Sequence, residues 1–165
     1  FHLAPGVDVA ELERQVTRFC EAQHGFLLPS LDAVLLDDFL ALRLSVPHAP
    51  VERIAAGCVR QFDRFRAPPD DNELARRLRK PLSPVQRALL ERWGYPYVLN
   101  EFRFHFTLTG SLAGVRSATS RALMRAANLG LARLARQSLR FDAISVVEQP
   151  LAGGSFRVRM RAPMS

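Results

Sequence analysis

Lysine is almost missing from this chain: Lys80 is the only one among 23 basic residues, and all the others are arginine. A net charge of +7 raises the prospect of a nucleic-acid partner, because clustered basic side chains neutralise backbone phosphates. The arginines are dispersed, however, with Arg76, Arg77 and Arg79 the densest group, so a compositional bias or a small anionic substrate explains the charge equally well. Cysteine is scarce too. Cys20 and Cys58 lie in apolar, helix-like patterns and read as free thiols of a reducing cytoplasm, and no metal-ligand spacing includes them. No apolar run approaches the roughly 20 residues that span a bilayer, and Phe1 opens without a basic leader. These shortages argue against a membrane span, a disulfide-stapled domain and a thiolate metal centre. With 48% hydrophobic residues over 165, the chain can bury a core as one domain or two small fused lobes, and is expected to be cytoplasmic.

Apolar spacing of three and four predicts a helix over Val9–Gln23, with Asp8 as its N-cap and Gly25 beyond its end. Two β-type segments, 26–36 and 39–46, flank Asp37 and Asp38 as a hairpin. A helix over 51–65, a Pro/Asp-rich breaker at 67–71 and short helices over 72–79 and 83–93 form a connecting layer. From Glu101 to Thr109 the chain alternates, placing Phe102, Phe104, Phe106 and Leu108 on one face and Arg103, His105, Thr107 and Thr109 on the other. A long helix over 117–137 and a second hairpin, 139–148 and 155–162 with a turn at Gly153-Gly154, complete it.

The two ends of the chain match. Leu31-Asp32-Ala33-Val34 resembles Phe141-Asp142-Ala143-Ile144, and 39–47 resembles 156–163 in alternation, in a basic residue near the centre and in the closing proline. The repeated order helix, strand, turn, strand predicts an α+β fold of two pseudo-symmetric lobes, each an antiparallel sheet with helices packed outside, around a central cleft. The lobes are expected at 1–47 and 101–165, with 48–100 as the helical connecting layer. In the second lobe the repeat is led by the strand of His105. Its counterpart in the first lobe would lie a little upstream of Phe1, so the first lobe is expected to lack its opening strand and to expose a sheet edge.

His105 and Thr107 are two apart on a strand, so imidazole and hydroxyl project from one face about 6 to 7 Å apart. A histidine exchanges protons near neutral pH, and a threonine hydroxyl donates to a phosphate oxygen. In-line cleavage of a phosphodiester needs a base on one side of phosphorus and an acid on the other, which two such histidines, one per lobe, would supply. Taken alone a His-x-Thr is weak evidence, and a half-buried strand histidine with a structural hydrogen bond is its more ordinary meaning. Its setting in a strictly alternating strand that opens a duplicated unit favours chemistry.

Phe104-His105-Phe106-Thr107-Leu108-Thr109 resembles the His-x-Thr signature of the two-histidine phosphoesterase superfamily. Together with 62–68 and 92–98, the run 101–110 is similar to a branch of that superfamily associated with phosphonate metabolism and often encoded beside carbon-phosphorus lyase genes. The likeness covers nearly the whole chain. It implies the same bilobal fold, a metal-independent phosphodiesterase with no cofactor, His105 and Thr107 as catalytic residues, and a first motif of the form His-Ala-Thr-Leu-Lys-Pro-Pro-Phe whose final Phe aligns with Phe1. His2 falls after that motif and is not its replacement. The 165 residues by themselves are therefore expected to be inactive.

Other residues keep two readings each. Arg103 clamps a phosphate or pairs with Glu101. Thr109 shares the His105 face. Tyr95 and Tyr97 stack on a sugar or base, or pack against Trp93. Arg64 and Arg66 face the cleft or solvate a helix end. Arg157, Arg159 and Arg161 give the last strand a basic face that belongs to the cleft only if that strand joins the sheet of His105. The expected substrate is a small phosphorylated sugar or nucleotide. RNA-end processing or RNA binding, and a non-catalytic ligand-binding domain, are the competing readings; oligomeric state is not indicated.

Overall fold

Helix α1 (Val9–Glu21) starts where the Asp8 carboxylate accepts from the Ala10 N–H, and its buried stripe of Leu12, Val16, Phe19 and Cys20 is the one its spacing predicts. The computed structural model describes residues 2–134, 138–149 and 154–165. After α1 the expected strand over 26–36 is broken in two, β1 (Phe26–Leu27) and β2 (Leu31–Leu36), with Pro29 in the gap, where it has no N–H to give a ladder. β3 (Phe39–Leu44) returns antiparallel through a two-residue turn in which Asp37 adopts φ 50°. A short-chained aspartate tolerates that left-handed geometry better than most side chains.

The helical layer follows its local signals. α2 (Ala49–Phe62) begins with Pro50 in its first turn and tightens into a 3₁₀ turn at Asp63–Phe65. α3 (Asp71–Arg77) is capped by Asp70, whose carboxylate accepts from Glu73 N–H. α4 (Pro84–Trp93) opens with a reciprocal Ser83/Gln86 capping box and closes at Gly94 with φ 70°. Gly94 suits that left-handed backbone, and a Cβ there would also displace the Arg66 guanidinium, 2.7 Å away.

The predicted strand 101–109 is shortened to β4 (His105–Thr107), because Leu99–Glu101 forms a 3₁₀ turn and only three residues enter the ladder. α5 (Ser117–Leu134), β5 (Arg140–Phe141), β6 (Ala143–Glu148) and β7 (Arg157–Pro163) follow. Residues 135–137 of the predicted long helix, and 150–153 with the first glycine of the predicted hairpin turn, lie outside the described residues.

The architecture is α+β, and among the described residues every ladder is antiparallel: β2-β3-β4, β1-β5 and β6-β7. Its packing interleaves the ends of the chain. β4 completes the sheet of the N-terminal hairpin and α5 lies against β2, while α1 lies against β6 and β7. Strands of 1–47 and 101–165 thus pair with one another, β3 with β4 and β1 with β5. One core joins α1 and α2 to the second hairpin through Phe19, Cys20, Ile54, Phe62, Phe65 and Ala162, with Phe19 set edge-on to Phe62 at 5.7 Å. The helices approach closely: a Cβ on Gly57 would lie 2.8 Å from the Phe19 ring. Both cysteines are free thiols, and burial pushes that of Cys58 up to about 11. Among the described residues no helix is long and apolar enough to cross a membrane.

Candidate functional site

β4 is held by β3 in a register that pairs Ala41 with Thr107, Leu42 with Phe106 and Arg43 with His105. Directly opposed residues of an antiparallel ladder project to the same side, so His105, Thr107, Arg43 and, one strand further, Asp32 share one face. His105 and Thr107 are both exposed there. The reverse face is apolar but incompletely covered, with Phe106 at 42% and Leu108 at 44% exposure.

The His105 ring is oriented from two sides. Its Nδ1 lies 2.7 Å from the Arg103 carbonyl oxygen, and the ring packs at 5.7 Å from that of Phe39. A carbonyl only accepts, so Nδ1 holds the proton and the lone pair of the neutral ring sits on Nε2, away from the backbone. This is the tautomer a proton-transfer histidine needs when its outer nitrogen does the work.

Thr109 takes a structural part: its Oγ1 accepts from the Leu40 N–H at 3.0 Å, extending the β3–β4 pairing past the last ladder residue. The connection that follows is tied back by Ser111, whose hydroxyl donates to the Asp38 carboxylate at 2.6 Å. That bond, helped by Lys80, holds the Asp38 carboxyl below its ordinary range.

The other predicted binding residues gather elsewhere. Arg66 is mostly buried and committed, pairing with Asp63 at 2.9 Å and donating to the Ala67 carbonyl. Arg92 reaches the other oxygen of Asp63 at 3.2 Å, so one carboxylate knots the runs 62–68 and 92–98 together beneath Gly94. Tyr95 lies under the Arg77 guanidinium at 4.5 Å and meets Tyr97 edge-on at 5.7 Å, each residue keeping over a third of its surface exposed. The last strand does not join the sheet of His105, and its basic face is largely neutralised. Arg159 bridges Glu13 and Glu148 at 2.8 Å each, and Arg161 binds Asp142 at 2.6 Å.

Arg43 is the functional candidate that reading the sequence left without a role. Its signal was the basic residue near the centre of the matched segment 39–47, which only the strand register sets opposite His105. Beside this pair, β3 and β4 diverge and leave a groove of about 200 Å³, bounded by 43–48, the first turn of α2 and 102–104. Arg43 and Arg103 line it; His105 sits at its border on β4. Among the described residues, no three His, Cys, Asp or Glu side chains come together as a metal site would require.

Residues 1–157 match the family DUF1045, described as a protein of unknown function. Two curated relatives bear the name ribose 1,5-bisphosphate phosphokinase PhnN. The protein from Janthinobacterium sp. (strain Marseille) is 36% identical over 100% of this chain and 37% of its own length. That from Laribacter hongkongensis (strain HLHK9) is 29% identical over 96% of this chain and 35% of its own. The chain therefore spans little more than a third of the relatives it matches. No solved structure gives a significant match.

Proposed function

The chain belongs to the DUF1045 family, and we propose that within it the β4 face is half of a metal-independent phosphodiesterase site, acting on a small phosphorylated sugar in phosphonate metabolism. The observation that carries this reading is the setting of His105. Its ring is exposed, aligned through Nδ1 on a backbone carbonyl, and neighboured along one pleat by the Thr107 hydroxyl. His105 takes or gives the proton on one side of phosphorus, and Thr107 donates to a non-bridging oxygen. In this reading a second histidine, on a strand matching β4, supplies the group on the opposite side.

The relatives' name suggests the substrate. Opening a 1,2-cyclic phosphate on ribose 5-phosphate forms a bond from the oxygen of water to phosphorus, breaks the ring bond between phosphorus and the ribose 2-oxygen, and leaves a protonated 2-hydroxyl. The product is ribose 1,5-bisphosphate, the compound in the name of both relatives. A phosphodiesterase fused to a kinase of that compound would hand its product to the next active site. The kinase chemistry itself is not assigned to this segment. Lys80, the single lysine, follows no Gly-x-x-x-x-Gly, whereas a phosphate-cradling loop needs that glycine pattern before its lysine.

The test is turnover of ribosyl and 2',3'-nucleoside cyclic phosphates, followed by phosphorus NMR, with the longest natural polypeptide that contains this segment. Hydrolysis that His105→Ala lowers by about 10²- to 10⁴-fold supports the assignment. Equal turnover by the variant removes His105 from the mechanism.

A further inference from the structure

We infer that the groove beside β4 is a second anion site, one that holds the 5-phosphate of a phosphorylated ribose while its reacting phosphodiester lies at His105 and Thr107. The choice of ligand rests on the phosphodiester reading; the existence of the site does not. Arg43 and Arg103 both line this groove, and neither meets a carboxylate among the described residues. Arg66, Arg159 and Arg161 elsewhere in the chain are held by acidic partners, so they are spent, whereas the two in the groove keep their planar donor forks for a ligand.

Two further features converge on the same space. One wall is the first turn of the 14-residue helix α2, whose N-cap, His48, makes no side-chain capping bond, so the positive end of the helix dipole is shared between the groove and Glu52 of the same turn. His48 also lines the groove, and its Nδ1 is buried with no hydrogen-bond partner among the described residues. That nitrogen is closed off because the ring packs against Phe26 at 5.1 Å, so His48 serves as a wall of the groove and not as a donor to its contents. The volume suits a phosphate with part of a sugar, being below the roughly 300 Å³ where pockets for larger ligands begin.

Glu52 lies in the same wall and opposes a bare anion. Its carboxylate accepts from hydroxyl groups, so the groove should prefer ribose 5-phosphate to inorganic phosphate, because only the sugar brings hydroxyls that offset the repulsion both phosphates meet.

Calorimetric titration of ribose 5-phosphate into the longest natural polypeptide that contains this segment, at low salt, tests the site, with the His48 ring resonances as a local reporter. The expected result is binding that shifts His48, survives His105→Ala and weakens by about tenfold or more in Arg43→Gln/Arg103→Gln. Glu52→Gln should narrow the preference over inorganic phosphate by tightening the latter. No binding to the unaltered chain, binding that ignores the double arginine variant, or inorganic phosphate weakened by Glu52→Gln overturns the inference. If cyclic phosphates are never hydrolysed but ribose 5-phosphate still binds through the two arginines, the phosphodiesterase reading falls and the subsite stands.

Discussion

The β2–β3 and β6–β7 hairpins carry matching patterns, an Asp-Ala pair in or just before the first strand and basic residues along the second, yet their charges meet different fates. In the C-terminal hairpin Asp142 captures Arg161, and Glu13 from α1 joins Glu148 in enclosing Arg159. In the N-terminal hairpin Asp32 and Arg43 are register partners but form no ion pair among the described residues, and Arg43 instead flanks His105 at the mouth of a groove. The difference comes from what each sheet received from the rest of the chain. The second hairpin lies against the charged flank of α1, whereas the first received β4, an exposed strand with no acidic side chain. A basic alternation in sequence is thus not evidence of an anion site until the neighbouring element is known.

The comparison is broken most severely at His105. His105→Ala should lower phosphodiester turnover by about 10²- to 10⁴-fold, while Arg159→Gln, on the other hairpin, should leave kcat unaltered in the same assay. Stability should show the opposite bias. Phe19→Ala, in the core beneath β6–β7, is expected to cost about 3–5 kcal/mol in urea unfolding, whereas Phe106→Ser, on the partly open reverse face of β4, should cost about 1 kcal/mol. Equal losses would mean that the two sheets are equally supported.

Smaller effects sharpen the contrast. Arg159→Gln should lower the melting temperature at low salt and lose that effect at high salt, because exposed pairs are screened; Arg43→Gln should not lower it at either. The tether between Ser111 and Asp38 should respond to acid. The folded-state pKa of Asp38 is depressed by the Ser111 hydroxyl, so the bond stabilises the loop after β4 above the ordinary carboxylate range and is lost as pH falls through the depressed value. The difference in melting temperature between Ser111→Ala and the unaltered chain should therefore shrink in acid; a difference that grows would mean the bond is not to the carboxylate.

Local order was readable where the chain carries its own instructions. The apolar stripe of α1, the capping box before α4 and the Asp-Asp turn between β2 and β3 depend on side chains a few residues apart, and each formed as its pattern implies. The same reading overran β4 and merged β1 with β2, because alternation alone does not reveal where partners for the backbone run out. Of the candidate site, the shared face of His105 and Thr107 was legible from a spacing of two. Arg66 and Thr109 could not be separated from ligand-binding residues, since their partners Asp63 and the Leu40 N–H are contacts that periodicity does not encode.

The amino-acid order by itself determined which segments coil, which extend, and that an imidazole and a hydroxyl share one pleat, for these follow from local torsions and side-chain spacing. Only the tertiary structure decided which hairpin received the histidine strand, which helix covered which sheet, and hence which arginines were neutralised. Those outcomes turn on pairings between residues far apart in the chain, where long-range register and burial, not local propensity, set the lower free energy.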